Sequence, residues 1–346
     1  MAASAIALVY LAYCAIHHYA PAPPMNVPSP LAMLLACSLL AACSDKTAAV
    51  PAQASAVTPP APAALATPPA ADAASKGDDM KTPESRARDK KQQADLMRAI
   101  FGKHYRADSE DALADLRDPD SKDASADKLS YVVSAVSHKL LPDGRAILVA
   151  NAETANTEGM AESSHASPGL LNVFYLAPRG KPGGVSWQVV KRLENIATLG
   201  SSGQLGDVHW VRLGAARQGL AIHHGYTGQG YTITQLTLFE LGADTVTELA
   251  GGIDLHSDNE GACGPETDDC WLVDGNWHFA PARDGSACDD LLVDFTGASR
   301  KIKPGVQVKG NEEPPRLVTP MNGRARYAFD GKHYKLVEGK NIVPGV

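Results

Sequence analysis

Carboxylates, histidines and cysteines gather in one stretch of this 346-residue chain. Asp254, Asp258, Glu260, Glu266, Asp268, Asp269 and Asp274 fall in a glycine-containing segment, and a hard cation such as calcium binds where several such oxygens converge from a turn. If Gly261 were the turn glycine of a regular calcium loop, His256 would stand at the first ligand position and Thr267 at the last. Neither is a carboxylate. The stretch therefore reads as a solvated acidic loop, with an irregular calcium loop on Asp254, Asp258, Glu260 and Asp268 as the competing reading. His209, His223, His224, His256 and His278 are also close in sequence, and zinc recruits histidines from neighbouring strands. Adjacent strand residues point to opposite faces, so His223 and His224 cannot chelate together. His209 and His223 could meet across an antiparallel pair. No His-x-His or His-Glu-x-x-His spacing occurs, so these are expected to be surface or hydrogen-bonded histidines, with no metal and no cofactor.

Beyond Cys43 the chain carries Cys263, Cys270 and Cys288, an odd set whose presence suits an oxidising compartment. Cys263 and Cys270 enclose Gly264-Pro265-Glu266-Thr267-Asp268-Asp269, which has turn chemistry, and this is the favoured bridge. Cys270 with Cys288 would instead clip the ends of a hairpin. The leftover thiol is then buried and inert or joined to another protein. Ser125-Ala126-Asp127-Lys128 and Ser257-Asp258-Asn259 match two of the three elements of penicillin-recognising enzymes, but Lys303-Pro304-Gly305 lacks the hydroxyl of the third. Ser125 also lies in a polar segment, whereas that nucleophile opens a buried helix. Gly200-Ser201-Ser202-Gly203 reads as a turn, not a nucleophile elbow. No catalytic residue is assigned.

The formal net charge is -7 and no basic face is apparent, which argues against nucleic acid as a partner. Residues 1–42 carry no Lys, Arg, Asp or Glu, so the charge belongs to residues 43–346. Two apolar stretches lie in the uncharged part, Ala2 to Ile16 and Leu31 to Ala42, each shorter than the roughly 20 residues of a membrane-crossing helix. The second ends in Leu39-Leu40-Ala41-Ala42-Cys43-Ser44, which resembles the lipobox of bacterial type II signal peptides. The resemblance implies export, cleavage before Cys43 and lipid on its thiol. Leu34-Leu35-Ala36-Cys37 is a second, weaker match. A basic n-region is missing, and Met25 or Met33 is an alternative start. Ser44, in place of the aspartate that retains lipoproteins in the inner membrane, implies the periplasmic face of the outer membrane.

These chemistry-bearing residues need a scaffold. Residues 1–42 read as signal peptide, 43–80 as a disordered Ala/Pro-rich tether, 81–120 as a helical segment and 121–346 as a β-rich domain. Thr82-Pro83-Glu84 has the cap and proline of a helix start, and Ala94, Met97, Ile100 and Phe101 form its apolar stripe. A second short helix is expected over Glu110 to Leu116. From Leu129 onward, β-branched and aromatic runs are punctuated by Gly, Pro, Asn and Asp, which predicts strands. A repeat of about 70 residues is discernible, each unit a turn, an apolar strand and a hairpin. The turns are at Leu141-Pro142-Asp143-Gly144, Leu213-Gly214-Ala215-Ala216 and Arg283-Asp284-Gly285-Ser286. Residues 283–295 resemble a blade of the FG-GAP type of β-propeller, which implies a propeller-like domain; a β-sandwich is the alternative. The expected function is a non-enzymatic envelope lipoprotein, membrane-held through its lipid, that binds a protein or a cell-wall component. Trp187, Trp210, Trp271 and Trp277 are its candidate contacts. The competing function is an envelope hydrolase or metal-dependent enzyme.

Overall fold

In the computed structural model the described residues are 82–119, 128–180, 186–308 and 310–346, all in one compact unit. Cys43, the tether and Ser125 lie outside them. The Thr82 hydroxyl accepts the Ser85 N–H at 3.2 Å and starts helix α1 (Pro83–Phe101), where Pro83 sits in the first turn, whose N–H groups need no helical partner. Leu96, Met97, Ile100 and Phe101 bury one stripe of α1.

The strands come in chain order as β1 (Tyr105–Arg106), β2 (Asp111–Arg117), β3 (Lys128–Leu140), β4 (Ala146–Thr154), β5 (Gly169–Arg179) and β6 (Ser186–Leu199). Then come β7 (Asp207–Arg212), β8 (Gln218–Gly228), β9 (Tyr231–Leu241), β10 (Val246–Asp258), β11 (Asp269–Ala280) and β12 (Asp290–Ile302). β13 (Arg316–Pro320), β14 (Gly323–Phe329) and β15 (Tyr334–Gly339) complete the set. The expected helix at Glu110 to Leu116 is a correction: that segment is β2, registered antiparallel on β3 from Asp111↔Ser134 to Arg117↔Lys128. Leu113 and Leu116 suggested a helical stripe, but Glu110 at φ 60° turns the chain and the backbone of β3 offers a partner.

All ladders are antiparallel between the strands described. β1 to β6 form one sheet in chain order, and β7 to β15 a second, in which β13 lies beside the far half of β12. The repeat read from the sequence is structural, since β3–β6, β7–β10 and β11–β12–β14–β15 are each a four-stranded meander, with an expected turn leading into β4, β8 or β12. The second sheet is two such meanders, joined where β10 meets β11 over only His256↔Asp274, Ser257↔Val273 and Asp258↔Leu272.

Strand alternation lets the first two meanders bury both faces and the third bury one. α1 covers one face of the first through Tyr131, Val133, Leu148, Phe174 and Leu176. Its other face, with Val149, Leu171 and Val173, meets Leu220, Ile222 and Phe239 of the second meander. The opposite side of that second meander, with Leu236 and Leu238, packs on Val273, Leu291, Val293 and Phe295 of the third. Three meanders are stacked without closing into a barrel. Arg192 ties helix to sheet, stacking near Phe101 and Phe174 and donating to the Ile100 carbonyl at 3.1 Å, an end-of-helix oxygen that lacks a helical partner.

Candidate binding site

The second and third meanders end in β10 and β15, and among the described residues each of these strands has one edge without a strand partner along much of its length. Among the described residues β10 pairs with β9 from Val246 to Asp258 with three register shifts but meets β11 only at its last three residues, and β15 pairs with β14 alone. Between the two edges lies a cleft of about 480 Å³. Its β10 wall is Leu249 to Asp254; its other wall includes Tyr327, His333, Tyr334, Lys335, Leu336 and Asn341. Gly251-Gly252 breaks the regular pairing on β9, with register shifts between Ala250 and Ile253, and Gly252 takes φ 63°. At the far end the Asn341 side chain donates to the Asp254 carbonyl at 2.8 Å and pins the tail across the gap.

Chemically this site offers main-chain donors and acceptors on two strand edges, an apolar floor and a cation. Lys335 supplies the cation, whereas the Asp254 carboxylate is met by the Gln235 amide at 2.7 Å. The cleft was not among the sites expected from the sequence. The Gly-Gly pair inside an apolar strand was its one signal, since glycine in a strand marks a bulge or a close approach.

In the acidic stretch Asp254, Asp258, Glu260, Asp269 and Asp274 all have protein partners for their carboxylates. The His256 ring is held between Asp258 at 2.8 Å and Asp274 at 2.7 Å, and Glu260 pairs with Arg300 at 2.8 Å. Asp268 is exposed, and its carbonyl accepts from Ile302 N–H at 3.0 Å. Among the described residues no three His, Cys, Asp or Glu side chains converge on one point. Burial alone would depress His256, but the hydrogen bonds and charges of Asp258 and Asp274 outweigh it and hold the ring above its ordinary value.

His209 and His223 do meet across β7 and β8, with ring centroids 5.0 Å apart. The Trp277 Nε1–H donates to His223 Nε2, so that nitrogen is an occupied acceptor and the ring is neutral. Burial, then the neighbouring His209, push His223 down to about 4. Cys263 and Cys270 are bridged, with Cα atoms 5.6 Å apart, and Cys288 is a free buried thiol beside the Arg217 guanidinium. Burial pushes that thiol up, which keeps it protonated.

None of the four tryptophans stands fully exposed. Trp187, Trp210 and Trp277 pack against the three cores, while Trp271 donates to Ser257 Oγ at 3.0 Å and leans on Tyr231. Arg316 has a role that no sequence pattern announced. Its side chain is 8% exposed, and the guanidinium donates to the carbonyls of Gly264, Thr267 and Arg300, so it fills the disulfide loop from within.

The fold and cleft define a mainly β protein of three stacked antiparallel meanders with an open seam at its edge. No family model, curated protein or solved structure matches the chain.

Proposed function

We propose that this chain is a lipid-anchored envelope protein, on the periplasmic face of the outer membrane, whose β domain captures an extended segment of a partner protein. The observation that carries the binding role is the β10–β15 seam, where two strand edges without a strand partner among the described residues flank one cleft. A peptide adding along such an edge gains backbone hydrogen bonds, and pockets for alternate side chains select its sequence. Lys335 on the β15 wall favours an acidic side chain in that segment. Leu39-Leu40-Ala41-Ala42-Cys43 supports the anchor, and the Cys263–Cys270 bridge is in keeping with an oxidising compartment.

Two measurements test the two halves of the reading. Cys43→Ser in the full chain is expected to abolish lipid labelling and free the protein from membranes after a salt wash; continued sedimentation would overturn the anchor. For the seam, a labelled peptide alternating valine and glutamate serves as probe in a backbone amide spectrum. Shifts confined to Leu249–Asp254 and Lys335–Val337, and lost in Lys335→Glu, are expected. Shifts elsewhere, or none at millimolar peptide, would sink the peptide reading.

A further inference from the structure

The joint between the second and third meanders is three registered pairs long; Trp271 and Asn259 hold its Asp258 end, and His256 grips the end beside the cleft. Of the residues of β10, only His256, Ser257 and Asp258 are registered on β11, directly after the unpaired Leu249–Asp254 stretch that walls the cleft. His256 Nε2 bonds Asp258 Oδ2 on its own strand, and its Nδ1 bonds Asp274 Oδ1 across the joint. A carboxylate can only accept, so both contacts together require both ring nitrogens to donate, which is the imidazolium form. The remaining neighbours on this face bring no further charge: β9 places Thr234 opposite His256 and Thr232 opposite Asp258, and β12 places Thr296 opposite Asp274. Asp254, one step along the same face, is held by Gln235.

We infer that His256 is a pH-operated clasp on the β10–β11 joint, closed on Asp274 while the ring is protonated and released when the proton leaves. Neutral imidazole has one N–H, so deprotonation must turn one of the two contacts into an acceptor facing an acceptor. The joint then keeps its backbone ladder, the Trp271–Ser257 bond and the Asn259 side-chain bonds to Trp271 and Asp269, but loses the link at its His256 end, next to the unpaired stretch of β10. If the seam binds a partner segment, a point that rests on the function proposed above, the clasp sets how far that seam opens.

The folded pKa of His256 lies above its ordinary value. The contribution of the clasp is therefore full below an unfolded value of about 6.5 and fades as pH rises through the folded one. The experiment needs no ligand. Histidine ring signals are monitored through pH, together with amide exchange at Ser257 and Val273, the registered pair whose amides face the joint, corrected for intrinsic base catalysis. We expect the His256 midpoint to stand above about 6.5 and to fall in Asp274→Asn. Protection at the joint should drop about two- to fivefold on passing the midpoint, the range an ion pair of this exposure supports. In His256→Gln, which stays folded and paired but cannot titrate, that drop should vanish. A midpoint at or below the ordinary value, or protection that falls equally in His256→Gln, would overturn the clasp. Failure of the acidic peptide to bind would leave it standing.

Discussion

Arg316 Nη2 donates to the Gly264 carbonyl at 2.8 Å, joining a strand to a disulfide loop 52 residues earlier in the chain. The loop from Cys263 to Cys270 is thus closed twice, once by sulfur and once by a guanidinium that also reaches Thr267 and Arg300. Arg316→Met removes the donors and leaves several carbonyls without them. A loss of about 2 kcal/mol or more is expected in urea unfolding at neutral pH. A loss below about 0.5 kcal/mol, the scatter of ordinary surface changes, would show that water replaces the guanidinium freely.

Reduction of the Cys263–Cys270 bridge should lower stability by about 2–3 kcal/mol in the chain-entropy picture for so short a loop. Since Arg316 holds the same loop, the two effects should not add, and a coupling of at least about 0.5 kcal/mol is expected between reduction and Arg316→Met. Peptide mapping of the unreduced protein should recover Cys263 linked to Cys270, with Cys288 alkylated only after unfolding. A Cys270–Cys288 peptide would contradict the loop just described.

Two histidines should move stability in opposite directions with pH. His223, held down to about 4, is neutral at pH 7 in the folded chain. Its contribution is present above an unfolded value of about 6.5 and is lost as pH falls toward the folded one, because the unfolded chain takes up the proton first. His256 has the reverse sign, as its clasp weakens with rising pH. Urea midpoints measured between about pH 4 and about pH 6.5 should therefore vary less in His223→Gln than in the parent. An unchanged slope would mean that His223 is not desolvated between His209 and Trp277.

Gly252 takes φ 63° where β10 bulges, and a side chain added there would meet only the Gln235 side chain at ordinary contact distance. The cost of Gly252→Ala is thus conformational, about 1–2 kcal/mol for a left-handed residue, without a clash. Replacement by Asn, which tolerates that region, should recover part of it. Equal loss in both variants would point to packing instead of backbone angle.

Calcium should leave the melting temperature unchanged, because an ion that binds only the folded chain stabilises it in proportion to its occupancy and the carboxylates of the acidic stretch already face His256, Arg300 and Gln235. A rise between chelator and millimolar calcium, lost in Asp258→Asn, would restore the cation reading.

Local chemistry made much of this protein legible from its sequence. Thr82 and Pro83 start a helix through groups within one turn, and the runs around Ala146, Leu171, Tyr231 and Leu291 form strands because β-branched and aromatic side chains fit a pleated, buried surface. The repeated turn, strand and hairpin also survived as three meanders, and the Cys263–Cys270 pair was legible from the turn residues that the two cysteines enclose. What failed was whatever depends on a distant partner. The segment Asp111–Arg117 is a strand because β3 lies beside it, and Asp269–Ala280, whose acidic start resembled a loop, is a strand because β12 supplies a continuous ladder. The seam, the Arg316 staple and the grip of His256 on Asp274 join residues 18 to 80 or more positions apart, and no local propensity encodes such meetings. Only the stacking of the meanders decided which edges stay open and which charges face one another, since burial and register are properties of the assembled sheets.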